Sequence, residues 1–168
     1  MRVLAKDVAN HVGSEVTVQG WVHRIRELGG ISFVLLRDRS GLVQIVYEGG
    51  VEFTQESVIS VTGSAAENEK APTGYEVQQS GTEVLSKATP ELPISVNQDP
   101  EKLGIDAILD NRIVSLRIPK IRRVFELQST IVQLFGEYLR SQAFTEIKSS
   151  KLIGSGTEGG TGLFAVDY

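Results

Sequence analysis

EVTVQGWVHRIRELGGISFVLLRDRSGLVQIVY, residues 15–47, decides the fold. Apolar and polar residues alternate through much of it, the period of two that a half-buried strand imposes. Residues 15–26 predict one long strand, interrupted by Gly20, where a glycine suits a bulge or the sharp coil of a small closed barrel. Leu28-Gly29-Gly30 reads as a turn, ISFVLLR (31–37) as a second strand, Asp38 to Gly41 as another turn and LVQIVY (42–47) as a third strand. The product is a three-stranded meander.

Working outward, Leu4, Val8 and Val12 have helical spacing before the meander, and strands at 56–65 and 75–85 follow it, separated by the turn-rich NEKAPTG. Five short strands in so small a span predict an all-β OB-fold barrel over residues 1–88. From Ser86 to about Asp99 the chain is polar and carries Pro90 and Pro93, which predicts a hinge, taken as 89–110. Pro119 sits where a helix starts, and Ile121, Val124, Phe125, Ile131, Phe135, Tyr138 and Leu139 form one apolar stripe over 119–142. Gly136 inside that helix suggests the close approach of another backbone, FTEI (144–147) a strand, and the last eighteen residues are Gly-rich.

Composition removes several chemistries. The chain has 168 residues and no cysteine, so disulfide frameworks, thiolate zinc sites and cysteine nucleophiles are excluded, and His11 and His23 are the only imidazoles. No apolar run approaches the roughly 20 residues of a membrane span and no charged-then-apolar leader is seen, so a cytoplasmic protein is expected. The net charge of -4 is unevenly spread. Residues 1–46 carry six basic and four acidic side chains, residues 47–110 three and twelve, and residues 111–168 eight and five. A locally basic front segment leaves room for a phosphate-contacting surface, because affinity follows the local field.

Alternation places Val34 and Leu36 on one face of the second strand and Phe33, Leu35 and Arg37 on the other, with Gln44 beside Phe33 from the third strand. An exposed aromatic next to an amide, flanked by Arg24, Arg26, Arg37 and Arg39, is what single-stranded RNA recognition uses: the ring stacks a base, the amide reads an edge and guanidiniums hold phosphate. The ordinary alternative makes Phe33 a core residue and the arginines solvated, and the residues alone leave both open. GSGTEGG (154–160) matches G-x-G-x-x-G, but no following helix or ribose-binding acid accompanies it, so a loop presenting Glu158 is the better reading. Ser-His-Asp, metal-helix and P-loop patterns are absent from the sequence.

GWVHRIRELGGISFVLLRDRSGLVQIV (20–46), continued by QESVISVTG, NEKAPTGYEV, LDNRIVSLR, FGEYLRSQAFTEI and GTEGGTGLFAVDY, resembles the class IIb aspartyl-tRNA synthetases of the archaeal type over nearly the whole chain. The resemblance implies an OB-fold anticodon-binding barrel followed by an incomplete α+β class II catalytic domain over 111–168. It implies that Phe33 stacks on the middle anticodon base, a uracil, that Gln44 and Glu56 hydrogen-bond around the anticodon, and that Arg24, Arg26 and Arg37 belong to the tRNA-binding surface. His23 and Pro72 stand where enzymes restricted to the aspartate tRNA tend to carry Trp and Lys, which implies the type that charges both Asp and Asn tRNAs. Glu158 matches an acidic loop residue that meets the amino group of bound aspartate.

Two departures qualify this. Ser149-Ser150 replaces the Thr-Pro of motif 1, which bears on the homodimer the family forms. Motifs 2 and 3 are not found, so ATP and Mg are expected as cofactors of a full-length parent, none is expected in this chain, and aminoacylation by these residues alone is not expected. A stand-alone RNA-binding paralogue and the related asparaginyl enzyme are the alternatives.

Overall fold

A computed structural model describes residues 1–148. Strands β1 (Glu15–Leu28), β2 (Ile31–Arg37), β3 (Leu42–Glu48), β4 (Val58–Glu67) and β5 (Tyr75–Ser86) form a closed barrel in the order β1-β2-β3-β5-β4. Every pairing is antiparallel except β3 with β5, which closes the barrel in parallel. Closure removes exposed sheet edges.

The alternation read from the sequence becomes the inside and outside of this barrel. Val16, Val18 and Val22 of β1, Val34 and Leu36 of β2, Val43, Ile45 and Tyr47 of β3, Ile59 and Val61 of β4 and Val77 of β5 are all buried in one core. Burying each such aliphatic side chain contributes about 1.5–3 kcal/mol relative to exposure. A 3-10 helix, Ala5–His11, adds Val8 to the core, and Phe53 packs its ring edge against Tyr47 at 5.8 Å between centroids. Burial pushes the Tyr47 hydroxyl up to about 12, although the Thr82 hydroxyl donates to it.

Of the two roles expected for Gly20, the structure shows the sharp coil and not the bulge. A Cβ there would run into the carbonyl of Arg37, so glycine permits β1 and β2 to approach closely as the barrel coils. The register slips later, between Val22 and Arg24. There the Glu56 N–H donates to the Val22 carbonyl and the Val22 N–H donates to the Ser57 carbonyl. His23 is thereby the extra residue, and its carbonyl accepts hydrogen bonds from the Gln55 and Asn97 side-chain amides.

Residues 87–118 do not hang loose from the barrel. Ile94, Val96 and Ile118 form a small second core with Leu103, Val114 and Ile121; helix α1 (Ile105–Asp110) buries no residue, and α2 (Arg112–Ser115) contributes Val114. Met1–Arg122 is one compact unit.

Helix α3 (Pro119–Ser141) begins with proline at its first position, where the missing N–H costs nothing. From Arg123 onward it belongs to a separate unit, and none of its residues is buried. Val124, Leu127, Ile131, Phe135 and Tyr138 lie on its exposed apolar stripe. Only the Arg140 side chain comes near Gly136, so the expected close backbone approach is absent among the described residues. Residues 144–148 are not in a strand; with no neighbouring strand among the described residues, their backbone has no ladder to join. Ser149-Ser150 and Glu158 lie outside the described residues.

Candidate nucleic-acid interface

On the outer wall of the barrel, the register sets Arg26 opposite Phe33 and Arg24 opposite Leu35 between β1 and β2, and Leu35 opposite Gln44 between β2 and β3. The parallel β3–β5 pairing sets Gln44 beside Glu76. The β4–β5 connection brings Asn68, Lys70 and Pro72 to the same place, enclosing an open groove of about 330 Å³. Phe33, Leu35 and Leu28 make its apolar floor, with Phe33 half-buried.

A polar cluster stands at one side of this floor. The Glu76 carboxylate, 7% exposed, accepts from Gln44 Nε2 at 3.0 Å and Asn68 Nδ2 at 2.7 Å, all on Oε2. Its Oε1 accepts no hydrogen bond among the described residues, and Gln44 keeps its side-chain carbonyl free. Asn68 is itself fixed, since its Oδ1 accepts from the Lys70 backbone. The groove thus offers two acceptors held in place, suited to the exocyclic amines and ring N–H groups of bases. The exposed side chains of Arg24, Arg26 and Lys70 carry no hydrogen bond or ion pair among the described residues. Their charge is therefore available to an anionic ligand.

Of the residues singled out from the sequence, Arg24, Arg26, Phe33, Gln44 and Pro72 meet in the groove. His23, Arg37 and Glu56 do not line it. Glu56, with a side chain 1% exposed, accepts on Oε2 from Arg37 at 2.8 Å and from Arg117 at 2.8 Å. Its Oε1 is buried without a partner and its backbone sits at φ 65, in the left-handed region. Arg37 reaches Glu56 with one guanidinium nitrogen and donates with the other to His23 Nδ1 at 2.9 Å. The Arg117 guanidinium lies 5.6 Å from the centre of the Trp21 ring. Sequence reading missed Glu76, Asn68 and Lys70; their signal was the third-to-fifth-strand pairing, which has no local pattern.

Burial first, then the Arg37 guanidinium and Arg24, hold His23 below its ordinary pKa, with Glu56 opposing them. The unfolded chain therefore binds this proton more readily than the folded one. His23 contributes stability that is present above the unfolded value near 6.5 and is lost as pH falls through the folded value. The melting temperature should drop more steeply in His23 protein than in His23→Gln as buffer pH is lowered from 7 toward 5; parallel curves would show that the imidazole is not the responsible group.

Known proteins match this arrangement. Residues 16–85 match the family described as OB-fold nucleic acid binding domain, and residues 104–168 match tRNA synthetases class II (D, K and N). The chain is 46% identical to the aspartate-tRNA(Asp/Asn) ligase of Thermus thermophilus, over all of this chain and 40% of that protein. It is 39% identical to the ligase of the same name from Archaeoglobus fulgidus, over all of this chain and 41% of that one. Among solved structures, asparaginyl-tRNA synthetase from Pyrococcus horikoshii, complexed with asparaginyl-adenylate, aligns with all of this chain and 41% of its own at a TM-score of 0.85 and 27% identity. The chain spans about two fifths of the length of these relatives. An OB-fold nucleic-acid-binding barrel followed by a stretch that matches the class II synthetases, with this identity running from end to end, makes the chain similar throughout to the front part of the aspartate-tRNA(Asp/Asn) ligases.

Proposed function

We propose that this chain binds the anticodon loop of tRNA through the Phe33–Gln44–Glu76 groove, as the front part of a ligase that attaches aspartate to tRNA. The observation that carries the reading is the groove itself: an outward aromatic ring, two fixed acceptors and three uncommitted cations in one depression. Phe33 stacks the middle anticodon base, Gln44 and Glu76 take its neighbours by their edges, and Arg24, Arg26 and Lys70 hold the backbone. Arg37, with His23 and Glu56 as its partners, braces the same β1–β2 ribbon further along β2.

The relatives' shared name supports acceptance of both Asp and Asn tRNAs. So does Pro72, which lines the groove at a position where a lysine would add a cation. Residues 1–88 are the binding barrel, 89–110 the linker and 111–168 the opening of the catalytic domain in this proposal. ATP and magnesium belong to the whole ligase. Among the described residues no three His, Cys, Asp or Glu side chains come together to hold an ion. Pairing of subunits through the apolar stripe of α3, aspartate contact through Glu158 and a cytoplasmic location complete the proposal; among the described residues no helix is long and apolar enough to cross a membrane.

The test is a set of anticodon stem-loops differing only at the middle base. Affinity should fall by about tenfold or more when that uracil is replaced, since a mismatched edge leaves buried polar groups unpaired. Equal binding of all four bases would remove the anticodon assignment.

A further inference from the structure

A second depression lies on the barrel, away from the groove. Arg2, Gln19, Trp21, Asp38 and Arg39 surround an open cavity of about 470 Å³. Its one carboxylate is already engaged. Asp38 Oδ2 accepts from the Ala5 backbone at 2.8 Å, and Oδ1 accepts from the backbone and hydroxyl of Ser40 and from the Gly41 backbone. Asp38 thus fixes the β2–β3 turn and pairs with neither arginine. The side chains of Arg2 and Arg39 are exposed and make no hydrogen bond or ion pair among the described residues. Two further guanidiniums approach: Arg117 over the Trp21 ring, and Arg122, which donates to the Arg39 carbonyl at 3.4 Å. In a chain of net charge -4, a pocket whose two uncommitted guanidiniums face one carboxylate already committed to backbone and hydroxyl donors is a local anion site.

The barrel register says which anion reaches it. Arg26 stands opposite Phe33 and Trp21 opposite Arg37 on the same β1–β2 ribbon. Four residues of β2 separate the two levels, about 13 Å at 3.3 Å per residue, a span of only a few nucleotides. An RNA whose unstacked bases occupy the groove has its flanking duplex within that distance. We propose that Arg2 and Arg39 seat phosphates of the stem that follows the anticodon loop, a contact that carries no base information but fixes the register of the RNA on the barrel. This inference rests on the RNA-binding reading of the neighbouring groove.

The experiment measures binding of the 168-residue chain and its Arg2→Gln/Arg39→Gln double variant to two RNAs: a full anticodon stem-loop and the loop nucleotides alone, at several salt concentrations. Thermal melting should match the parent, since both side chains are exposed. With the stem-loop, the double variant should bind about tenfold more weakly at low salt, and the slope of log K against log salt should shrink by about 1.4–1.8, the release of two phosphate contacts. With the loop nucleotides alone, parent and variant should agree. An unchanged slope on the stem-loop, or equal loss on the stemless RNA, overturns the stem-phosphate seat. The two readings fail separately: if changing the middle base has no effect while the slope still falls, the anticodon assignment is lost and the backbone seat stands.

Discussion

Glu56→Ala should lower the free energy of unfolding by about 3–5 kcal/mol, the usual consequence of removing one partner from a buried ion pair and leaving the other charge uncompensated. Arg37 is the charge left behind. Its side chain is 11% exposed, and its remaining partner would be His23, a neutral acceptor. Two features make Glu56 more than a surface ion. The residue holds φ 65, a conformation that costs a non-glycine residue about 1–3 kcal/mol and persists only where surroundings over-determine it. Here the surroundings are the two arginines on Oε2 and the single backbone hydrogen bond that Glu56 donates to the Val22 carbonyl. A denaturant titration of Glu56→Ala and Glu56→Gly separates the contributions. Glycine relieves the backbone but still removes the anion, so it should recover only part of the loss. Arg117→Met should cost far less, because Arg117 is 32% exposed and Glu56 keeps Arg37 without it. Since domains of this kind are stable by about 5–15 kcal/mol in total, a change below 1 kcal/mol for Glu56→Ala would mean that the cluster does not hold the barrel to residues 112–118.

That cluster also shows where sequence reading stops. The period of two fixed which residues of β2 and β3 face inward, because a one-residue slip would turn Val34, Leu36, Val43 and Ile45 out to water. Arg24, Arg26, Phe33 and Gln44 follow from the same rule, since they are the outward positions of adjacent strands. Glu56 carries no such signal. Its partners come from β2 and from a segment 61 residues further along, and nothing local distinguishes an acid bound for burial from one bound for RNA. Glu76 was hidden for the same reason: it joins Gln44 through the parallel β3–β5 closure, 32 residues apart. The proline-bearing stretch after β5 hides its contacts in the same way: Ile94 and Val96 pack into a small core completed by Ile118. Apolar contacts that distant are invisible to a window of ten or fifteen residues.

Phe33→Ala should weaken binding of an anticodon stem-loop by about 5- to 150-fold, the 1–3 kcal/mol that stacking a base on an aromatic ring contributes. The barrel should survive the change. Phe33 is half-buried on the outer wall, while the residues on either side of it in sequence, Ser32 and Val34, are the buried ones. The loss should have two further marks that a general weakening would not. Phe33 touches no phosphate in the proposed complex, so the salt dependence of binding should keep its slope, in contrast to substitutions at Arg24 or Arg26, each of which should reduce it by about 0.7–0.9. The discrimination among middle bases should also shrink, because Gln44 and Glu76 can read an edge only when the base is held flat against the floor of the groove. Competition binding with the four middle-base stem-loops, at two salt concentrations, measures both marks in one experiment. If Phe33→Ala binds all four as tightly as the parent does, the ring does not stack a base.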